Sequence, residues 1–157
     1  MADAVTLDVE GPDGPRSMRV SSPDRVLWPD AGVTKRELVE YLVAVGDAFV
    51  EANGDRPVAL QRFPAGIEGE EFFSKAPPKG TPDFIRTTMV TFPSARAHPM
   101  LVIDEPAAAV WMAQMNTIVF HPGPPAPRTS IIPISSAWTS TRSRASASPM
   151  RCARRPC

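Results

Sequence analysis

Hydrophobic periodicity runs through this chain as far as His121 and then stops, and that boundary limits what can fold. Beyond it come Ser, Arg, Ala and Pro in no repeating pattern, ending in SSAWTSTRSRASASPMRCARRPC. A segment without an apolar face cannot offset the entropy of ordering itself. Residues 123–157 are therefore predicted to form a disordered tail. What remains, roughly 120 residues, suits one modest domain with a single core.

Charge follows the same division. The formal net charge is zero, yet no acidic residue follows Glu105, whereas Arg128, Arg142, Arg144, Arg151, Arg154 and Arg155 do. The body is acidic and the tail basic, so a basic arm touching nucleic acid is one reading of the tail. Both cysteines, Cys152 and Cys157, lie there without His partners, which supports neither a disulfide scaffold nor a zinc site. No apolar run is long enough to span a bilayer, and the acidic N-terminus lacks a signal-peptide pattern. A cytoplasmic protein with no membrane partner is expected.

Within the body, VTLDVE and SMRVSS alternate apolar and polar residues and predict two strands joined by the turn-rich GPDGPR. Thr34 followed by Glu37 makes a capping box. Leu38, Leu42, Val45 and Phe49 then recur at helical spacing, and Asn53-Gly54 stops the helix. PVALQRF reads as a strand, PAGIEGEE as a loop, and FIRTTMVTF and MLVID as two more strands. Asp104 is placed to cap a second helix, with Pro106 in its first turn and AAAVWMAQM as its body. TIVFHP is a final strand. The order is mixed α/β (α+β).

Four features could carry chemistry. Arg25 precedes a turn and Lys35 opens a helix, and two cations beside free helical N–H groups suit a phosphate. The alternative is two solvated surface charges. Phe72-Phe73 lie between Arg62 and the cations Lys75 and Lys79. Adjacent strand residues point to opposite faces, so one ring can be core while the other is exposed. An exposed ring beside Lys and Arg can stack unpaired bases, whereas two buried rings would be purely structural. His121 stands alone at FHP, where a lone His is most often structural. Asp104-Glu105 reads as a helix cap, and no carboxylate pair suits a two-metal site.

Taken in order, DRVLWPDAGVTKRELVEYL, RPVALQRFPAGIEGEEFFSKAPPKGTPDFIRT and AAAVWMAQMNTIVFHP resemble the polymerase domain of bacterial ligase D. That family belongs to the archaeo-eukaryotic primases and serves non-homologous end joining. The resemblance spans residues 20–122, preceded by a strand-and-turn lead-in over 1–19. It implies the N-terminal portion of a primase-like fold, incomplete as it stands. It assigns Arg25 and Lys35, with Ser22, to a DNA 5′-phosphate. Phe72, Phe73, Arg62 and Lys75 fall at contacts to the template strand, and His121 near the incoming nucleotide. A position basic in relatives is Gln61 here. The implied cofactors are Mn2+ or Mg2+ with a nucleoside triphosphate. The implied partners are 5′-phosphorylated DNA ends, the end-binding protein Ku, and a ligase domain or protein.

Catalysis in that family needs an Asp-x-Asp motif after the His, and a third Asp later, to hold two divalent cations. No Asp follows Asp104. Written in G/C-rich codons, however, SIIPISSAWTSTRSRA read two bases later becomes DHPDQLRLDLDPQPG. The first Asp of DLD is forced, because Trp has one codon and every Thr codon after it completes GAC. The expectation is a frame change between His121 and Ala126, with residues 123–157 out of frame. The chain as written is then expected to be inactive, with no catalytic or metal-binding residue of its own. The alternatives are a non-catalytic module that holds 5′-phosphorylated ends, or part of an ATP-dependent ligase system. The Lys-x-Asp-Gly context of a ligase nucleophile is absent from the sequence.

Overall fold

The computed structural model describes residues 4–91, 96–124 and 131–132. Strands β1 (Val5–Val9) and β2 (Arg16–Val20) pair antiparallel, Val5 opposite Val20 and Val9 opposite Arg16. Gly14 turns the hairpin at φ 115°, its N–H donating to Gly11 O at 3.1 Å. A second, smaller hairpin follows, β3 (Val26–Trp28) with β4 (Val33–Thr34), which the sequence pattern did not reveal. Its Gly32 adopts φ 66°, a left-handed backbone that glycine enters without steric cost.

The Thr34 capping box forms as expected. Thr34 Oγ1 accepts from Glu37 N while the Glu37 carboxylate accepts from Thr34 N at 2.7 Å. The helix it starts is shorter than the apolar spacing implied. Helix α1 (Lys35–Ala44) ends at Val45, and α2 (Gly46–Asn53) follows at once. At this junction a Cβ on Gly46 would lie 2.6 Å from Pro106 Cβ, so glycine permits the close approach of the third helix.

That third helix, α3 (Pro106–Gln114), carries Pro at its first turn as expected. It is apolar on nearly every side, with Ala107, Ala108, Ala109, Val110, Met112 and Ala113 all buried. Such a helix belongs at the centre of a fold. On one side it meets Val9, Met18, Val20, Val39 and Leu42 from the hairpin and α1. On the other it meets Val58, Leu60, Ile85, Leu101 and Ile103. Phe49, Phe84, Trp111 and Phe120 pack against both groups. Each fully buried aliphatic side chain here contributes about 1.5–3 kcal/mol.

The expected helix cap at Asp104 does not form. The N-cap is Glu105, and its side chain makes no cap bond. Asp104 instead pairs with Arg86 at 3.2 Å, and Glu105, 4 % exposed, accepts from Arg16 Nη2 at 3.0 Å. Arg16 also lies over the Phe84 ring, 4.6 Å from its centroid. Both carboxylates are claimed by arginines distant in sequence.

The main sheet comprises β5 (Pro57–Arg62), β6 (Phe72–Ser74), β7 (Thr87–Val90), β8 (His98–Val102), β9 (Thr117–Pro122) and β10 (Ile131–Ile132). Its order is β10-β7-β8-β5-β6, with β9 also paired to β5, and every pairing is antiparallel. Strand β10 falls within the stretch expected to be structureless. The rest of that stretch beyond Pro124, including both cysteines and the end of the interval proposed for the frame change, lies outside the described residues. Val58 and Leu60 of β5 face α3, so Ala59 and Gln61 face the opposite side of the sheet. Among the described residues, no helix is long and apolar enough to cross a membrane.

Candidate functional site

Three cations converge where the small hairpin meets the end of β5. Arg25 sits just before β3. The hairpin folds back so that Lys35 N donates to Arg25 O at 2.8 Å and Arg36 N to Pro23 O at 2.9 Å. Together with the Glu37 N bond to Thr34, these contacts satisfy the N–H groups at the start of α1. The expectation of free helical N–H groups beside the cations is therefore corrected. Backbone carbonyls of the preceding loop occupy them, and side chains must do any anion binding.

Those side chains are held in unusual settings. Lys35 is only 3 % exposed, and its Nζ donates to Ser21 O at 3.0 Å. Arg25 Nη1 donates to Pro64 O, two residues past the end of β5. Arg62 is the last residue of that strand, and its Nε donates to Met115 O at 2.9 Å. Burial, and then the positive charges of Arg25 and Arg62, lower the Lys35 pKa from 10.5 to about 8. Among the described residues, no carboxylate forms an ion pair with any of the three. A buried cation pressed by two more cations, with no carboxylate to answer it, marks a place suited to an anion.

Ser22 lies beside this cluster with a left-handed backbone, φ 49°, and its carbonyl accepts from Arg25 N at 3.2 Å. Its neighbour Ser21 is fixed by a residue that sequence reasoning missed. Gln114, at the end of α3, accepts from Ser21 N at 3.0 Å and donates to Ser21 Oγ at 2.8 Å. This clamp orients the carbonyl that receives Lys35. Nothing local in the sequence signals a contact across 93 residues.

A second group of side chains lies on the outer face of the sheet. Gln61 stands opposite Phe73 on β6, and Ala59 opposite His121 on β9. The Phe73 and His121 rings lie 5.7 Å apart, and His121 Nε2 is 3.0 Å from Gln61 Oε1. Gln61 in turn donates to the Glu71 carboxylate. Both phenylalanines are exposed, Phe72 by 54 % and Phe73 by 58 %. Neither ring enters the core, so the readings with one or both rings buried do not hold. They point to opposite faces, Phe72 paired with Arg62 and Phe73 with Gln61, beyond the buried Leu60 of β5. Lys75 follows β6 and is exposed.

The structure thus gathers Arg25, Lys35, Ser22 and Arg62 at one locus and Phe73 and His121 at another. Arg62 and Gln61, adjacent on β5 and facing opposite ways, join the two. The described residues do not fit a divalent-metal pair, because no three His, Cys, Asp or Glu side chains gather in them. The adjacent carboxylates Asp104 and Glu105 are held by Arg86 and Arg16. Burial raises the Asp104 pKa against the opposing pull of Arg86.

Residues 34–133 match the family model described as LigD, primase-polymerase domain. Among curated proteins, the multifunctional non-homologous end joining protein LigD of Mycolicibacterium smegmatis is 30 % identical over 105 residues. That alignment covers 66 % of this chain and 14 % of the relative. The corresponding Pseudomonas aeruginosa protein is 34 % identical over 105 residues, covering 66 % and 12 %. The fold is similar to that of the polymerase domain from Mycobacterium tuberculosis Ligase D in complex with DNA. The TM-score is 0.66 at 23 % identity, over 74 % of this chain and 42 % of that one. The chain therefore spans about one-seventh of the first of these curated relatives and less than half of the solved domain.

Proposed function

This chain belongs to the LigD primase-polymerase domain family, and from that premise we propose that it is a DNA-end-binding portion of a repair polymerase of non-homologous end joining. Arg25 and Lys35, with Ser22, hold the 5′-phosphate at a recessed or gapped end. Phe72 and Phe73, with Lys75, meet the template strand, and His121 stands at the nucleotide's side. The observation that carries this reading is Lys35, buried beside two arginines and answered by no carboxylate among the described residues. A terminal phosphate carries about −1.5 to −2 charges at neutral pH and supplies the missing counter-charge.

Gapped duplex DNA with and without the 5′-phosphate tests it. The phosphorylated form should bind more tightly, with affinity falling as salt rises. Equal binding of the dephosphorylated form overturns the reading.

The chain as written is proposed to be inactive in nucleotidyl transfer, since no Asp follows Asp104 to complete a metal-binding motif. Primer extension with Mn2+ or Mg2+ and nucleoside triphosphates should yield no product, and extension by the purified 157-residue chain would refute that. Resequencing the gene across the codons for Phe120 to Ala126 tests the frame change directly. A base gained or lost restores the Asp-x-Asp motif, and an unchanged read leaves an end binder. A ligase domain or protein and the end-binding protein Ku are the proposed partners in the intact system.

A further inference from the structure

The resemblance places Arg62 among template contacts, but its surroundings point elsewhere. We propose that Arg62 is the third cation of the phosphate cradle, completing with Arg25 and Lys35 a site selective for a terminal phosphomonoester over an internal phosphodiester. This deepens the end-binding reading and rests on it.

Three observations carry the assignment. First, pairing with β6 is regular through the end of β5, with Gln61 opposite Phe73 and Arg62 opposite Phe72, so Arg62 shares the side of Leu60 although the pairing with β9 shifts register at this step. Phe73 and His121 lie on the other face, whereas Phe72 shares the face of Arg62. Second, the loop leaving Arg62 is pinned onto the small hairpin. Pro64 O accepts from Arg25, Ile67 N donates to Leu27 O at 2.8 Å, and a Cβ on Gly66 would lie 3.1 Å from Leu27 O. These contacts hold the end of β5 against the segment that carries Arg25. Third, the positive charge of Arg62 is close enough to Lys35 to disfavour its protonation.

The Met115 carbonyl engages only Nε, which leaves the two terminal nitrogens of the guanidinium to donate into the cradle. Arg25 likewise spends Nη1 on Pro64 O and keeps its other donors. The cradle so formed offers up to three positive charges and several fixed N–H groups. A phosphodiester brings one negative charge and two free oxygens. A terminal phosphomonoester brings nearly two charges and three free oxygens, and so matches the cradle better. An arginine fork suits that geometry where a lysine would supply only a point charge.

The experiment compares the full 157-residue chain with Arg62→Gln and Arg62→Lys on gapped DNA bearing a 5′-phosphate or a 5′-hydroxyl. Glutamine keeps an amide donor for Met115 O, so the local fold is retained. If the proposal holds, Arg62→Gln lowers affinity for the phosphorylated end about tenfold and leaves the hydroxyl end unchanged, with Arg62→Lys recovering part of the loss. An equal loss on both DNAs assigns Arg62 to the template strand and overturns the proposal while sparing the end-binding reading. Absence of any phosphate preference in the unaltered chain defeats that reading and the proposal with it. A DNA-free readout is independent of both. NMR titration of Lys35 should move its midpoint upward from about 8 in Arg62→Gln, because one of the opposing cations is gone. An unmoved midpoint overturns the placement of Arg62 beside Lys35.

Discussion

Lys35 is a charge held inside this protein, and Phe72 and Phe73 are aromatic rings held outside it. Each reverses the usual partition of side chains, and the physics differs between them. At Lys35 the cost is desolvation, sharpened by two like charges, and it appears as a lowered pKa. At the phenylalanines it is apolar surface left in water, which no titration reports. The first region is built from contacts distant in sequence, with Gln114 and Met115 both reaching it from α3 and its end. The second is a short edge strand whose side chains meet mainly its immediate partners. The cradle is electrostatic and tied across the fold, whereas the platform offers exposed rings beside polar neighbours. That division suits a terminal phosphate on one side and bases on the other.

The sharpest way to break the comparison is Lys35→Met. The folded pKa lies below the unfolded one, so between about 8 and 10.5 the unfolded chain binds more protons and stability rises with pH. Below about pH 8 the full cost of the buried charge is present. At neutral pH, removing that charge should raise stability by up to about 3 kcal/mol while abolishing the phosphate preference. Denaturant melts beside binding curves check this, and a destabilised variant would contradict it.

Gly46→Ala is the control lying in neither region. Its new Cβ would meet Pro106 Cβ at 2.6 Å, so unfolding measurements should report a loss of about 2 kcal/mol. The phosphate preference of the folded fraction should stay as it was. A change in that preference would mean that the junction between α1 and α2 shapes the cradle.

The pH dependence of binding sharpens the comparison further. A bound phosphate favours protonated Lys35, so its contribution is fullest below the free-protein value of about 8 and is lost as pH rises past it. From pH 7.5 to 9.5, affinity for the phosphorylated end should drop by about 1.5 kcal/mol more than affinity for the hydroxyl end. Parallel curves would remove Lys35 from the phosphate contact.

The smallest effect is expected at the platform. Phe73→Ala should cost about 1 kcal/mol of binding to DNA with unpaired template bases and leave blunt duplex binding unchanged. Thermal stability should stay within about 0.5 kcal/mol, as for exposed positions generally. A large loss of stability would show the ring to be structural after all.

Much of the fold was legible because it is local. The Thr34–Glu37 capping box, the hairpin turned at Gly14, the strand Pro57–Arg62 and the proline at the start of α3 each depend on neighbours within a few residues. The individual cations of the cradle were legible too, as Arg25 and Lys35 flank a turn. What was not legible depended on the rest of the chain. Asp104 and Glu105 have the sequence context of a cap, but Arg86 and Arg16 offer charged partners that a backbone N–H cannot match. The apolar spacing through Phe49 ran straight across Val45, where the helix is interrupted beside the close approach of Pro106 to Gly46.

By itself, then, the sequence determined which segments could be helix or strand, and it supplied the residue types of an anion site and a stacking platform. Capping and side-chain alternation act over a few bonds and are written in spacing. The tertiary structure alone decided that the N–H groups opening α1 are occupied, that Gln114 clamps Ser21 under Lys35, that both phenylalanines are exposed, and that Arg62 turns toward the cations. Burial, desolvation and charge repulsion depend on what lies within a few ångströms in space, and that proximity exists only once the chain has folded.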